Sequence, residues 1–317
     1  MKKSKIPIIE HIPDFFEYLD IEKGASKKTQ ETYNRFLNSF VGWIKENQLE
    51  NMKPHELSDD YIWKYRVYLS KRTNYKKEPI KKSTRNYYLI ALRSLLNYFT
   101  DRNIESLPSE KIKLTKTNKE RMVKFLDLKQ LERLLLAPNT LTEVGLRDRA
   151  ILETFFSTGL RVSELVSLDR DQVKISPETE TLEISILGKG DVPRSVYFSS
   201  RAVRALRKYL NKREDKEKAL FIRYKGPKES SVRLTPRSIE NIVKKYSKKV
   251  GVPVMTTPHT LRHTYATDLL SKGVDLRVIQ EFLGHQNIAT TQIYTHLTSQ
   301  KLKDIHKEFH SGDDIKE

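Results

Sequence analysis

The chain has 317 residues, with 59 Lys and Arg against 41 Asp and Glu, a formal net charge of +18 and no cysteine. That length is enough for two ordinary domains, and the missing thiol excludes disulfides, thiolate catalysis and cysteine-based zinc sites. No apolar run approaches the roughly 18 residues of a membrane span, and the basic start Met1–Lys5 leads into no apolar signal core. No membrane partner is expected, and a cytoplasmic location is.

So large a positive charge favours a polyanion, with nucleic acid ahead of a membrane surface. Affinity for nucleic acid would then fall steeply with salt, because each bound phosphate releases counterions. The plainer alternative is a soluble protein with many surface lysines, or one adapted to heat or salt. Hydrophobic residues make up 37% of the chain. They are patterned, so folded cores are expected.

The first hundred residues read as helical. Tyr33, Phe36, Leu37, Phe40, Val41 and Ile44 recur at helical spacing after a polar lead-in from Ser26. Tyr61 to Leu69 continues the pattern, and Tyr88, Leu89, Leu92, Leu95, Leu96 and Phe99 give a third amphipathic face. The polar start of that last helix, Lys81 to Arg85, either presents Lys82, Thr84, Arg85 and helix N-terminal amides to a phosphate or is an ordinary helix start. Pro108 is expected to end the helix before it. The polar, mostly basic tract that follows reads as a linker over 108–122, lying along DNA or simply solvated. It divides a helical domain, 1–107, from a second domain, 123–317.

In the second domain Asp127 is placed to cap a helix running to about Leu136. Leu146, Ile151, Leu152, Phe155 and Phe156 mark the next helix, which Gly159 can end in a left-handed conformation. The period then changes. Leu182, Ile184 and Ile186 alternate with polar neighbours, Gly188-Lys189-Gly190-Asp191 follows, and Val192, Arg194, Val196 and Phe198 alternate again. This predicts a β-hairpin with a glycine-rich turn. Helices are expected again over Ala202–Leu210, Pro236–Val250, Pro258–Leu270 and Leu276–Leu283. The fold class is therefore mainly α with a small β-sheet.

The chemistry gathers late in the chain. Six of the eight histidines lie at or after residue 259. Tyr294, in Thr290-Thr291-Gln292-Ile293-Tyr294-Thr295-His296, is one of 15 tyrosines. A free phenol is ionised in roughly one molecule per thousand at pH 7, so a nucleophilic tyrosine needs a site that stabilises the phenolate or takes its proton. Thr257 and Pro258 suit the start of a helix that places His259 in its first turn and Arg262 on the same side. A phosphate there would meet amides, a guanidinium and an imidazole together. His259 and His263 have the spacing of a zincin helix, but Thr260 stands where the catalytic glutamate belongs and Arg262 would put a cation beside the metal. No metal is expected.

Arg161 follows a tight turn at Gly159, and Glu164, one helical turn later, can orient it through a salt bridge. An exposed ion pair is the alternative. Lys189, at the hairpin tip, is either solvated or able to reach and protonate a leaving oxygen. His285 follows Gly284, which can end the preceding helix. Arg237, just after Pro236, is a further candidate DNA contact.

The ordered set Arg161, Lys189, His259-Thr260-Leu261-Arg262, Leu283-Gly284-His285 and Tyr294 resembles the tyrosine recombinase (phage integrase) family. Thr290 to His296 looks most like its Xer members. The resemblance implies a two-domain C-shaped DNA clamp, with a helical SAM-like core-binding domain and an α+β catalytic domain. It implies site-specific DNA cleavage and rejoining without metal or cofactor. Tyr294 would form a 3′-phosphotyrosyl link, Arg161 and Arg262 would clamp the phosphate, and His259 and His285 would bind it or move protons. Lys189 would protonate the 5′ oxygen, with Glu164 in support. It further implies a homo- or heterotetramer on double-stranded DNA at the nucleoid, with a translocase or accessory protein as a further partner. The apolar face Leu302, Ile305 and Phe309 would dock on a neighbouring subunit, or pack on its own domain. Chromosome or plasmid dimer resolution is the expected role. The rivals are a mobile-element integrase, a type IB topoisomerase-like enzyme and a non-catalytic DNA-binding regulator.

Overall fold

The computed structural model describes residues 1–74, 77–116, 125–188, 192–227, 231–252 and 256–284. The chain divides into two compact units, Met1–Glu120 and Arg121–Glu317.

Unit 1 contains α1 (Ile12–Ile21), α2 (Lys27–Glu46), α3 (Asp59–Lys71) and α4 (Lys82–Asp101). The predicted faces are the buried ones. Leu89, Leu92, Leu96 and Phe99 of α4 meet Phe36, Leu37, Phe40 and Ile44 of α2 in one core. Each fully buried aliphatic or aromatic side chain stabilises by about 1.5–3 kcal/mol, so these stripes hold the unit together. Helix α1 is not among the elements expected from sequence periodicity, although Pro13 sits in its first turn, a favoured place for proline.

Two expectations change at the end of this unit. Helix α4 stops at Asp101, well before Pro108. Asn103 adopts a left-handed φ of 55°, and Asn103 N–H and Ile104 N–H donate to the Thr100 and Phe99 carbonyls. Asparagine tolerates this conformation because its short polar side chain bonds locally. The expected linker over 108–122 also begins too early. Ile112 is buried against the unit 1 core, and the Asn86 side chain exchanges two hydrogen bonds with the backbone of Thr115. A tract rich in lysine looked solvated because its few apolar residues have no helical period.

Unit 2 contains α5 (Leu128–Leu136), α6 (Glu143–Thr158), α7 (Val162–Ser167), β1 (Leu182–Leu187), β2 (Pro193–Phe198), α8 (Ser200–Asn211), α9 (Pro236–Lys249), α10 (Pro258–Ser271) and α11 (Leu276–Leu283). Asp127 caps α5 through the Gln130 N–H. Helix α6 is the centre of the unit and is buried nearly all round, so its charges are paired internally. Arg147 donates to Asp148 and to the Ile222 carbonyl, and Asp148 also accepts from the Tyr246 hydroxyl. Arg149 and Arg201 both bridge to Glu153 at 2.7 Å.

Strands β1 and β2 pair antiparallel, with Ile184 opposite Val196 and Ile186 opposite Arg194. Ile184, Ile186, Val196 and Phe198 face the core. Val192 falls outside β2 and is 56% exposed, so the predicted alternation begins at Arg194. A second small core joins α10 to α11 through Ala266, Leu270, Ile279 and Leu283. No helix among the described residues is long and apolar enough to cross a membrane.

Candidate active site

The site is built where α6 stops, α7 starts and α11 ends. Gly159 closes α6 with φ 61° and donates to the Phe155 carbonyl. A Cβ at this position would lie 2.5 Å from the Tyr265 ring, so both conformation and space require glycine. The chain then reverses through Leu160 into Arg161, the N-cap of α7.

Glu164 folds back onto that cap. Its Oε2 accepts the Arg161 backbone N–H at 2.7 Å and its Oε1 accepts Arg161 Nη1 at 2.8 Å. The other guanidinium nitrogen, Nη2, donates to the Gly284 carbonyl at 2.8 Å. The expected orientation of Arg161 by Glu164 is therefore present. The pair is not an exposed one, since the Glu164 side chain is only 6% exposed.

Arg262 rises from α10, whose N-terminus Thr257 caps through the Thr260 N–H. It is 3% exposed. Its Nη1 donates to the Gly159 carbonyl at 2.6 Å and its Nη2 to the Leu283 carbonyl at 2.5 Å. Adjacent carbonyls at the end of α11 thus receive Arg262 and Arg161. These are the carbonyls a helix end leaves without intrahelical partners, at the negative end of its dipole.

A third guanidinium, absent from the residues expected at the site, joins them. Arg194 of β2 donates from Nη1 and Nη2 to Glu164 Oε1 and Oε2, both at 2.8 Å, and from Nε to the Phe282 carbonyl at 3.3 Å. One signal was readable: Arg194 keeps step with Val196 and Phe198, so the strand period puts a charge on the buried face.

His259 lies in the first turn of α10 and lines a cleft of about 580 Å³ with Arg237, Lys244, Lys248 and Thr257. Desolvation lowers its pKa, and Arg262 and Arg161 lower it further, so the imidazole is neutral near pH 7. Its ring sits 4.1 Å from that of His263, tilted by 68°. Arg237 enters the same cleft but is paired with Glu240 at 3.0 Å in an exposed ion pair. In unit 1, Lys82 is exposed, while Thr84 and Arg85 are half-buried at the start of α4. Lys189, His285 and Tyr294, like the Ser299–Phe309 segment, lie outside the described residues. Among the described residues no group of three His, Asp or Glu side chains is gathered to hold a metal.

Burial raises the pKa of Glu164, but the hydrogen bonds from Arg194 and Arg161 outweigh it and bring the value to about 2, from an ordinary 4.5. A depressed carboxylate stabilises the fold above its unfolded pKa and loses that contribution as pH falls through its folded one. Here the window runs from pH 4.5 down to about 2, and the shift corresponds to about 3 kcal/mol. In denaturant melts across this window, the native chain should lose its advantage over Glu164→Gln progressively. An advantage that stays constant from pH 6 to 2 would refute the assignment.

The chain is similar to known proteins over most of its length. Residues 124–301 match the phage integrase family, and residues 12–103 match the phage integrase N-terminal SAM-like domain. The tyrosine recombinase XerD of Listeria monocytogenes is 35% identical over 309 residues, covering 94% of this chain and 98% of that protein. The tyrosine recombinase XerC of Pelotomaculum thermopropionicum is 34% identical over 311 residues, covering 95% and 97%. The crystal structure of the XerH site-specific recombinase in its pre-cleavage complex shares the fold, with a TM-score of 0.70 at 22% identity over 96% and 97% of the two chains. The chain belongs to the phage integrase family of tyrosine recombinases. Within that class it is an Xer-like site-specific recombinase, an enzyme of DNA recombination.

Proposed function

We propose that Tyr294 attacks the scissile phosphate of duplex DNA, forming a 3′-phosphotyrosyl bond and expelling the 5′ oxygen. Arg161 and Arg262 hold the non-bridging oxygens and stabilise the pentavalent transition state. His259, neutral near pH 7, accepts a proton or a phosphate hydrogen bond, and His285 donates to the phosphate. Lys189 delivers the proton to the departing 5′ oxygen. Rejoining is the reverse attack by a 5′ hydroxyl, so bond energy is conserved and no nucleotide is consumed. The observation that carries this reading is the convergence of Arg161, Arg262 and Arg194 on the last carbonyls of α11. That helix end leads directly into His285, and Tyr294 follows nine residues later.

Duplex DNA is the partner that the net charge of +18 favours. The XerH structure is itself a complex with a difH substrate. Exposed Lys82 with Thr84 and Arg85 at the start of α4, and Arg237 beside the His259 cleft, are the proposed backbone contacts. The proposed assembly is a tetramer on two target duplexes, acting on chromosomal or plasmid dimers in the cytoplasm. Accessory control comes from a separate protein.

The test is to incubate the full chain with nicked suicide duplexes that carry the sites of Xer relatives, beside a randomised pool. A denaturation-resistant, protease-sensitive adduct at the DNA 3′ end, mapping to the Tyr294 peptide, is the expected result. If no duplex yields an adduct, the strand-transfer assignment fails. Site-independent plasmid relaxation would instead mark a topoisomerase.

A further inference from the structure

We propose that Arg194 is a positioning residue for strand cleavage, acting through Glu164 to keep Arg161 oriented and the three-residue cluster net positive toward the phosphate. This rests on the role given to Arg161 above.

The Glu164 carboxylate is shared by two arginines. Oε1 accepts from Arg161 Nη1 and Arg194 Nη1, and Oε2 accepts from the Arg161 backbone N–H and Arg194 Nη2. All four hydrogen bonds are at 2.7–2.8 Å. The carboxylate is therefore saturated and cannot turn. Its charge is divided as well as its geometry. One carboxylate between two guanidiniums leaves a net positive charge, whereas Glu164 with Arg161 alone would be a neutral pair. A buried neutral pair attracts a phosphate far less than a preorganised cation does.

The remaining contacts of Arg194 belong to the same site. Its Nε holds the Phe282 carbonyl, two residues before Gly284, whose own carbonyl holds Arg161. A Cβ on Gly284, which has φ 60°, would come within 3.1 Å of three atoms of the Arg194 side chain. Arg194 also opposes Ile186 on the strand that leads to Lys189. It thus ties the hairpin, the α7 cap and the end of α11 to a single carboxylate. Other paired arginines among the described residues of the unit differ in this respect. Arg213 pairs with Asp215 and caps the Ala219 and Leu220 carbonyls, and Arg233 pairs with Asp169 and the Val166 and Leu168 carbonyls. Neither touches a site residue.

The experiment measures single-turnover adduct formation on saturating suicide duplex, with duplex affinity and thermal melting in parallel. Four chains are compared with the native one: Arg194→Gln, Arg194→Lys, Glu164→Gln and the Arg194→Gln/Glu164→Gln double variant. Arg194→Gln should slow cleavage by roughly 10- to 100-fold, as loss of an orienting partner does, with affinity changed less than about threefold. Arg194→Lys, which keeps the charge but not the fork, should recover part of the rate. Adding Glu164→Gln to Arg194→Gln should also recover part of the loss, because it restores the unbalanced charge on Arg161. Losses that multiply in the double variant overturn the proposal, and so does native-rate cleavage by Arg194→Gln. Should Arg194→Gln not fold, Arg194→Lys decides alone: a folded lysine variant that cleaves more slowly than the native chain supports orientation by the fork, and one at native rate overturns it. If the native chain itself forms no adduct, the strand-transfer reading falls and takes this one with it.

Discussion

Replacing Tyr294 with phenylalanine is expected to remove the covalent protein–DNA adduct entirely and to leave duplex affinity unchanged. The phenol oxygen is the atom that would bond to phosphorus, and the change deletes that atom with little else. Phosphate contacts by lysine and arginine dominate affinity, and they are untouched. Of the described tyrosines, Tyr265 is a competitor that the site itself supplies. Its pKa is raised to about 12 by burial, against the opposing influence of Arg262 and Arg194. Ionising it at pH 7 costs about 7 kcal/mol, against about 4 for an ordinary phenol. Tyr265→Phe should therefore keep the adduct. An adduct that survives Tyr294→Phe but is lost with Tyr265→Phe would reverse the assignment.

The second large effect is expected at Arg262. Arg262→Ala should lower the cleavage rate at saturating DNA by at least about 10²- to 10³-fold, the usual loss of one preorganised donor. It should also destabilise unit 2, because the Gly159 and Leu283 carbonyls lose their buried donor. An unsatisfied buried polar group costs about 1–3 kcal/mol. Arg262→Lys separates the two effects. A single ammonium retains the charge but lacks the planar fork that spans two carbonyls, so melting should recover more than rate. Single-turnover trapping and thermal melts on both variants provide the check. A destabilised alanine variant that still cleaves at the native rate would make Arg262 a structural residue only.

The acid sensitivity expected of Glu164 and the charge argument for Arg194 concern the same carboxylate. Both follow from its position between two guanidiniums in a site where the carboxylate side chain is 6% exposed. A carboxylate so enclosed is fully satisfied only while both partners remain, and removing Arg194 leaves two of its four hydrogen bonds unmade.

Local sequence determined much of this protein, because local rules act over one to four residues. Asp127, Thr257 with Pro258, and the left-handed glycines at 159 and 284 set helix ends at the expected places. The apolar spacing of α2 and α4 and the alternation in β1 identify those elements. Arg161 stands at the start of α7 and His259 in the first turn of α10, where the turn and cap signals put them. Local signals also compete. Pro108 looked like the stop of α4, but Asn103 turns the chain earlier, and the basic tract hid the packing of Ile112. Tertiary structure alone decided the rest. Glu164 meets Arg194 thirty residues away, and Arg161 meets the Gly284 carbonyl 123 residues away. Hydrogen-bond partners at such separations depend on how α7, β2 and α11 approach one another, which periodicity does not encode. Arg194 was visible from the start as a charge on a buried strand face, but its partner appears only when the end of α11 is packed against it.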